Sequence, residues 1–270
     1  MKKAAKVEII IVGNEILTGD ILDTNTNWLC KLIYGRGGSV TRVTVIPDEL
    51  EVVADAVRQS VARKIDILFT SGGLGPTSDD LTLEAVALGT NRETVLHEEA
   101  LELVRQQYDH FFERGIMKQG GLNPARQKMA CLPLGGEPLV NPVGTAPGVL
   151  LRVDKTTIIS VPGVPSELKG IIEQSLQTFL NEVFGDGEAM SRCVGVMCND
   201  ESQLEPVLVQ IVEKYPEIYT KSLATTLGEN PEMNIIMTIS GIGEKQPLLD
   251  TAFEELCNGL TGLGFPITLK

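Results

Sequence analysis

The sequence predicts an α/β protein built on a mostly parallel sheet and followed by a small α+β domain. Three observations predict it. Short apolar, β-branched runs alternate with helical patterns through the first third of the chain, which is how right-handed βαβ crossovers are written. Glycine-rich turns close two of those runs, at Gly13 and after Ser71. Beyond Gly185-Asp186-Gly187, which reads as a linker, the order changes to β-α-β-β-α, a small sheet of its own. A chain of 270 residues has room for both parts, and 43% apolar residues supply cores. The expected boundaries are 1–186 and 187–270.

Each element has a local reason. Val7–Val12 is an apolar run ending at Gly13 and reads as a buried strand. Asn14–Asp23 reads as a polar loop. Asp23 and Thr24 are helix N-caps for a segment through Trp28, Leu29 and Leu32 that ends near Gly35. Ser39–Ile46 alternates as a strand. Leu50–Arg63 places Val53, Ala54, Val57 and Val61 at helical spacing, and Ile65–Thr70 is a third strand. Leu81–Leu88 and the amphipathic Glu98–Arg114 are helices. Leu132–Gly148, rich in Pro and Gly, reads as irregular. Thr156–Val161 is a strand, and one helix runs from Ser166 to about Phe184. In the second domain the pattern gives strands at Arg192–Cys198, Ile218–Leu223 and Asn234–Ser240, with helices at Glu201–Lys214 and Gln246–Leu260.

A net charge of −13 opposes binding to nucleic acid or anionic membrane unless basic residues are concentrated somewhere. Lys2, Lys3 and Lys6 make only a short basic start. Five cysteines, Cys30, Cys131, Cys193, Cys198 and Cys257, are scattered and odd in number, so neither a disulfide framework nor a zinc site is expected. No apolar stretch reaches the roughly 20 residues that span a bilayer, and the N-terminus lacks a signal sequence. The expected location is the cytoplasm.

The segment Ser71-Gly72-Gly73-Leu74-Gly75-Pro76-Thr77-Ser78-Asp79-Asp80 joins a buried strand to a helix. Its glycines allow close backbone approach, and the helix N-terminus offers free N–H groups, an arrangement suited to phosphate. It is neither a P-loop nor a dinucleotide fingerprint. Asp79 and Asp80 would repel a phosphate unless a divalent cation bridged them, so a magnesium-like site at Asp79 and Asp80 is one expectation, with Glu84 on the same helix face. The plainer alternative is that Thr77, Asp79 and Asp80 cap the helix, as in a capping box. Three further loops could converge on the same sheet edge: Gly13–Gly19 with Glu15, Asn141–Gly148, and Pro162–Glu167 before a helix.

Taken in order, these motifs resemble a known family. Gly72-Gly73-Leu74-Gly75 followed by Asp80 is similar to the signature of the molybdopterin-binding fold. Together with Gly13-x-Glu15-Ile16-Leu17-x-Gly19, Asn25-Thr26-Asn27, Asn141–Gly148 and Pro162–Glu167, it resembles the N-terminal domain of the CinA (competence/damage-inducible protein A) family over roughly residues 7–184. The residues after Gly187 are similar to the KH-like domain of those proteins.

The resemblance implies a three-layer sandwich and a metal-dependent nucleotide pyrophosphatase acting on ADP-ribose or a related diphosphate, with Mg, Mn or Co. It implies Asp80, Glu15 and Glu167 as catalytic residues and Asp79 and Asp80 as metal ligands. The nucleotide or phosphate site would comprise Gly13, Asn25, Ser71, Gly72, Gly73, Leu74, Gly75, Thr77, Asn141, Gly144, Ala146, Pro147, Gly148, Pro162, Gly163, Val164 and Pro165. It also implies a homo-oligomer, a dimer first.

Leu74, where adenylylating relatives carry Thr, and Pro-Gly-Val-Pro in place of Pro-Gly-Asn-Pro turn the reading toward the CinA branch. Nicotinamide-mononucleotide deamidation belongs to a further domain and is not expected of these residues. Two alternatives stand beside hydrolysis: binding of molybdopterin in molybdenum cofactor synthesis, and a non-enzymatic scaffold or regulator.

Other constellations carry less. His97 and His110, if on one helix, would lie roughly 220° apart, so they make no metal pair. Trp28 reads as core. The KH-like part lacks a Gly-x-x-Gly clamp, and nucleic acid is not expected as a partner.

Overall fold

The computed structural model of the chain describes residues 4–185, 188–226, 228, 231–241 and 245–270. Lys2, Lys3 and two of the three residues read as a linker, Asp186 and Gly187, lie outside them. The chain divides into two compact units, residues 1–33 with 38–184 and residues 34–37 with 185–270.

The first unit runs β1 (Lys6–Val12), α1 (Asn14–Leu17), α2 (Asn25–Gly35), β2 (Ser39–Ile46), α3 (Leu50–Ala62), β3 (Ile67–Ser71), α4 (Thr82–Gly89), β4 (Thr94–Leu96), α5 (Glu98–Glu113), α6 (Pro124–Lys128), β5 (Cys131–Pro133), β6 (Glu137–Leu139), β7 (Gly148–Val153), β8 (Thr156–Val161), α7 (Pro165–Ser175) and α8 (Gln177–Phe184). Six strands form one sheet in the order β2-β1-β3-β8-β7-β6. The first four are mutually parallel, and β7 and β6 add to that edge antiparallel.

The apolar run of β1 exists because both sheet faces are covered. Val7, Ile9 and Ile11 join Leu29, Ile33, Leu168, Ile171 and Leu180 in one core, under α2, α7 and α8. Ile10 and Val12 join Val53, Ala54, Val57, Ala85 and Val86 in another, under α3 and α4. This is a three-layer α/β/α arrangement with strand side chains alternating between two interiors. Glu8 falls on the α3 side and is 3% exposed. It is tolerated because Ser60 Oγ donates to it at 2.8 Å and Arg63 holds it with two hydrogen bonds of 2.7 Å.

Several local expectations change. The loop after β1 contains a one-turn helix, α1. The stretch 132–148 contains β6 and most of β5, which pairs with β4. β7 completes a hairpin with β8 where no strand is expected. The helix from residue 166 is two, divided at Leu176, which is fully buried.

The second unit comprises β9 (Glu188–Val196), a 3₁₀ turn (Glu201–Gln203), α9 (Glu205–Lys214), β10 (Tyr219–Thr226), β11 (Glu232–Gly241), α10 (Gln246–Gly262) and β12 (Ile267–Leu269). The strand order is β10-β11-β9-β12, all antiparallel. Met233, Ile235, Met237 and Ile239 alternate inward against Leu249, Ala252, Leu256 and Leu260 of α10. The last strand is not marked in the sequence pattern. No helix among the described residues is long and apolar enough to cross a membrane.

Candidate functional site

Because β1, β2, β3 and β8 are parallel, the loops that leave their carboxyl ends gather at one sheet edge. Each contributes to one cavity of about 490 Å³. Glu15 and Ile16 follow β1, Asp48 follows β2, Gly72–Gly75 follow β3, and Pro162–Glu167 follow β8. Asn25, at the start of α2, and Thr145 and Ala146 also line it. That volume suits a small organic ligand.

The glycine turn is built by its neighbours. Gly72 and Gly73 have φ of 109° and 65°, where side chains are disfavoured. Thr82 ties the turn to α4: its Oγ donates to the Gly72 carbonyl at 2.8 Å, and its N–H to that of Gly73 at 3.1 Å. Among the described residues the N–H groups of Gly73, Leu74 and Gly75 donate to no protein acceptor. Three consecutive free donors beside a helix N-terminus can receive an anion.

Asp80 is turned to a local task. One carboxylate oxygen, Oδ2, accepts from the Thr77 N–H at 2.8 Å and from the Thr77 hydroxyl. Lys128 Nζ donates to the Thr77 carbonyl. Asp79 is exposed, and a hydrogen bond from Thr77, then its own backbone, then the Lys128 charge hold its carboxyl below the usual range. Glu84 does not share a helix face with Asp80, because α4 begins only at Thr82. Instead Glu84, Asp80 and Lys128 line an adjoining cavity of about 130 Å³. Among the described residues no three His, Cys, Asp or Glu side chains gather as a metal site. With Asp80 engaged by Thr77, Asp79 and Asp80 do not form a ready-made cation site, so no step is derived through a metal.

Asn25 and Ser71 serve as struts, which corrects their expected part in holding phosphate. Asn25 Nδ2 donates to Ser71 Oγ at 3.0 Å and to the Gly163 carbonyl at 2.7 Å, while Ser71 Oγ donates to the Pro162 carbonyl at 3.2 Å. Their donors are therefore spent in joining α2, β3 and the loop after β8. Asn25 Oδ1 is a buried acceptor without a protein partner.

Glu167 sits in a cradle made by the loop 141–146. Asn141 Nδ2 donates to Glu167 Oε2 at 2.7 Å and to the Ala146 carbonyl at 2.8 Å, while Asn141 Oδ1 accepts from the Val143 and Gly144 N–H groups. Gln107 donates to the carbonyls of Asn141 and Gly144. A Cβ on Gly144 would overlap the Glu167 carboxylate, so only glycine leaves room for it.

Burial raises the Glu167 pKa above 4.5, with the Asn141 hydrogen bond opposing. The folded state therefore holds this proton more tightly than the unfolded state. The group's contribution to stability is fully present below pH 4.5 and is lost as pH rises through the raised value. Glu167→Gln keeps an oxygen for Asn141 but has no charge to bury. Urea unfolding from pH 4.5 to about 8 should show the variant gaining on the wild type as pH rises. Parallel curves would mean that the carboxylate is solvated in the folded protein.

Gly13, Thr77, Asn141, Gly144, Pro147 and Gly148, all expected to touch ligand, do not line the cavity. Gly13 gives space to the Glu15 carboxylate, and a Cβ there would come within 2.6 Å of it. Gly148 begins β7, where a Cβ would meet Ile171 at 3.0 Å. Asp48, Thr145, Met129, Ile21 and Leu22 line the cavity without having been singled out. Asp48 was findable, since every parallel strand end faces the same edge. It also accepts from the Asn14 N–H at 2.8 Å. Lys128 and Met129 come from a distant segment and carry no motif.

His97 is the N-cap of α5, accepting from the Ala100 N–H, and does not share the helix with His110. Trp28 packs against the first core, with Lys169 Nζ 5.9 Å from its ring centroid. All five cysteines are free thiols.

Residues 8–182 match the model of a family described as a probable molybdopterin binding domain. A protein of Aeropyrum pernix is 35% identical over 271 residues, covering 99% of this chain and 98% of its own length. A protein of Pyrococcus abyssi is 38% identical over 213 residues, covering 78% of this chain and 82% of its own. Among solved structures, the protein CinA from Thermoplasma acidophilum, described as of unknown function, is similar with a TM-score of 0.59. It is 34% identical, over 66% of this chain and 98% of that one.

Proposed function

Since this chain belongs to the family of the probable molybdopterin binding domain and is CinA-like, we propose that its strand-edge cavity binds a phosphorylated pterin of the molybdopterin type. The observation that carries the proposal is the turn Gly73–Gly75, whose three N–H groups lack protein acceptors beside the N-terminus of α4. A phosphate would take these donors, and Lys128 would supply a nearby positive charge. The other lining suits a flat ring. Ile16, Ile21, Leu22, Val164 and Pro165 present apolar surface, and Leu22 is 83% exposed in the free protein. Covering such residues at a cavity rim favours ligand binding.

Anaerobic calorimetric titration with molybdopterin tests this reading. Saturable one-to-one binding in the micromolar range, about −8 kcal/mol, is expected. No heat and no binding at millimolar protein would overturn it.

A second reading is favoured by the carboxylates of Glu15, Asp48, Asp79, Asp80 and Glu167 around the cavity, which would draw in a cation together with a nucleotide diphosphate. Its test is release of AMP from ADP-ribose with magnesium, manganese or cobalt. Metal-dependent turnover would place hydrolysis ahead of pterin binding.

A further inference from the structure

The cavity divides its polar groups unevenly. At the glycine turn it offers donors, which suit the phosphate. At the loops before and after β8 it offers a carboxylate, which repels phosphate and suits a ligand's N–H groups. Glu167 belongs to this second part. It lines the cavity, and Asn141 Nδ2 holds only its Oε2. Oε1 makes no hydrogen bond within the protein among the described residues.

The support around this carboxylate is extensive. Asn141 is 4% exposed and has both ends of its amide engaged. Gln107 braces the same loop from α5, and Gly144 is the residue type that leaves the carboxylate its space. The Asn141 assignment is chemically secure, because the Ala146 carbonyl needs a donor and the Val143 and Gly144 N–H groups need an acceptor. Asn141 is thus a positioning residue that aims Glu167 at the cavity.

Resting on the pterin reading above, we infer that Glu167 is a specificity-determining residue: its carboxylate takes the paired N–H donors on the edge of the ligand's heterocycle, the ring N–H and the exocyclic amino group. A carboxylate has two acceptor oxygens side by side, and that edge has two donors side by side. A heterocycle carrying a carbonyl in place of the amino group sets oxygen against oxygen. A site built for such a hydrogen bond discriminates strongly, because the mismatched polar group is left desolvated and unpaired. The raised pKa of Glu167 agrees with a buried carboxylate that lacks a compensating donor in the free protein.

The geometry predicts a reversal on a single substitution. In Glu167→Gln, Asn141 Nδ2 still needs an acceptor and keeps the glutamine oxygen at the Oε2 position. The amide NH2 then faces the cavity. Donor and acceptor now match a ring N–H beside a carbonyl, the edge of the dioxo analogue.

The probes are 6-hydroxymethylpterin monophosphate and 6-hydroxymethyllumazine monophosphate, which differ in amino against carbonyl at that position. Titration of the wild type should favour the pterin by at least about tenfold. Glu167→Gln should bring the two within about twofold or favour the lumazine. Ser71→Ala, which leaves Glu167 and Asn141 untouched, should keep the wild-type preference. Equal affinity of the wild type for both probes would overturn the inference while leaving pterin binding intact. So would a preference that falls less than about threefold in Glu167→Gln. Failure of the wild type to bind either probe would overturn the pterin reading and this inference with it. Should the glutamine variant not fold, a crystal structure of the wild type with the pterin probe decides: ring nitrogens within about 3.2 Å of Glu167 support the assignment, and any other placement overturns it.

Discussion

Gly72→Ala is expected to abolish measurable binding at the cavity and to lower the melting temperature of the first unit by roughly 6–12 °C, from a cost of about 3 kcal/mol. Two penalties combine. The backbone φ of 109° is one that an L side chain adopts only with strain, and an added Cβ would fall inside the contact distance of the Val12 carbonyl oxygen. That neighbour is backbone at the end of β1, paired through Ile11 with Ser71, and cannot swing away as a side chain would. To make room, the turn must shift and the hydrogen bond from the Gly72 N–H to the Val161 carbonyl must break. The N–H groups of Gly73–Gly75 then lose their common direction, and affinity for a phosphorylated ligand falls by more than about a hundredfold. Thermal unfolding followed by titration checks both parts. An unchanged melting temperature would show that the end of β1 yields cheaply, and the steric account would fail.

Asp80→Ala sets two effects against each other. Removing a carboxylate near the anion site relieves repulsion, worth about 1 kcal/mol for charges 4 Å apart in water. It also removes the acceptor that both donors of Thr77 share, and hydrogen bonds to a charged group contribute about 1.5–3 kcal/mol each. Partial exposure reduces that gain, yet the turn still loses more than the repulsion returns. The expected result is affinity for molybdopterin weaker by about thirtyfold, or about 2 kcal/mol. Asp80→Asn keeps an oxygen for Thr77 and should lose less than about fivefold. Tighter binding by Asp80→Ala would mean that repulsion dominates and that the carboxylate does not organise the turn.

Residues near each other in sequence made the first sheet readable. The order β1, α2, β2, α3, β3 follows from apolar periodicity and caps, which are local properties of short segments. Asp23 does accept from the Thr26 N–H at 2.9 Å at the start of α2, as a capping residue should. The glycine turn is equally local, since its glycines and the α4 N-terminus lie within about a dozen residues. The segments that were misread lack such signals. β6 and β7 lie beyond the Pro- and Gly-rich stretch, and Gly148 begins a strand because the Ile171 side chain and the Ser160 carbonyl press against it. Glu8 looks out of place in its run because its partners, Ser60 and Arg63, are more than fifty residues away.

The sequence by itself determined the alternation of strands and helices, the sheet edge at which ligands are met and the anion-receiving turn there, because each is set by spacing within a short segment. Only the tertiary structure decided what each polar group is free to do. Asn25 and Asp80 have side chains suited to a ligand, but their hydrogen-bonding capacity is largely used on Ser71, Gly163 and Thr77. Glu167 is held with one oxygen unclaimed by a loop more than twenty residues upstream. A donor or acceptor can be counted from the residue type, but whether it is already satisfied depends on which distant segments the fold brings within about 3 Å.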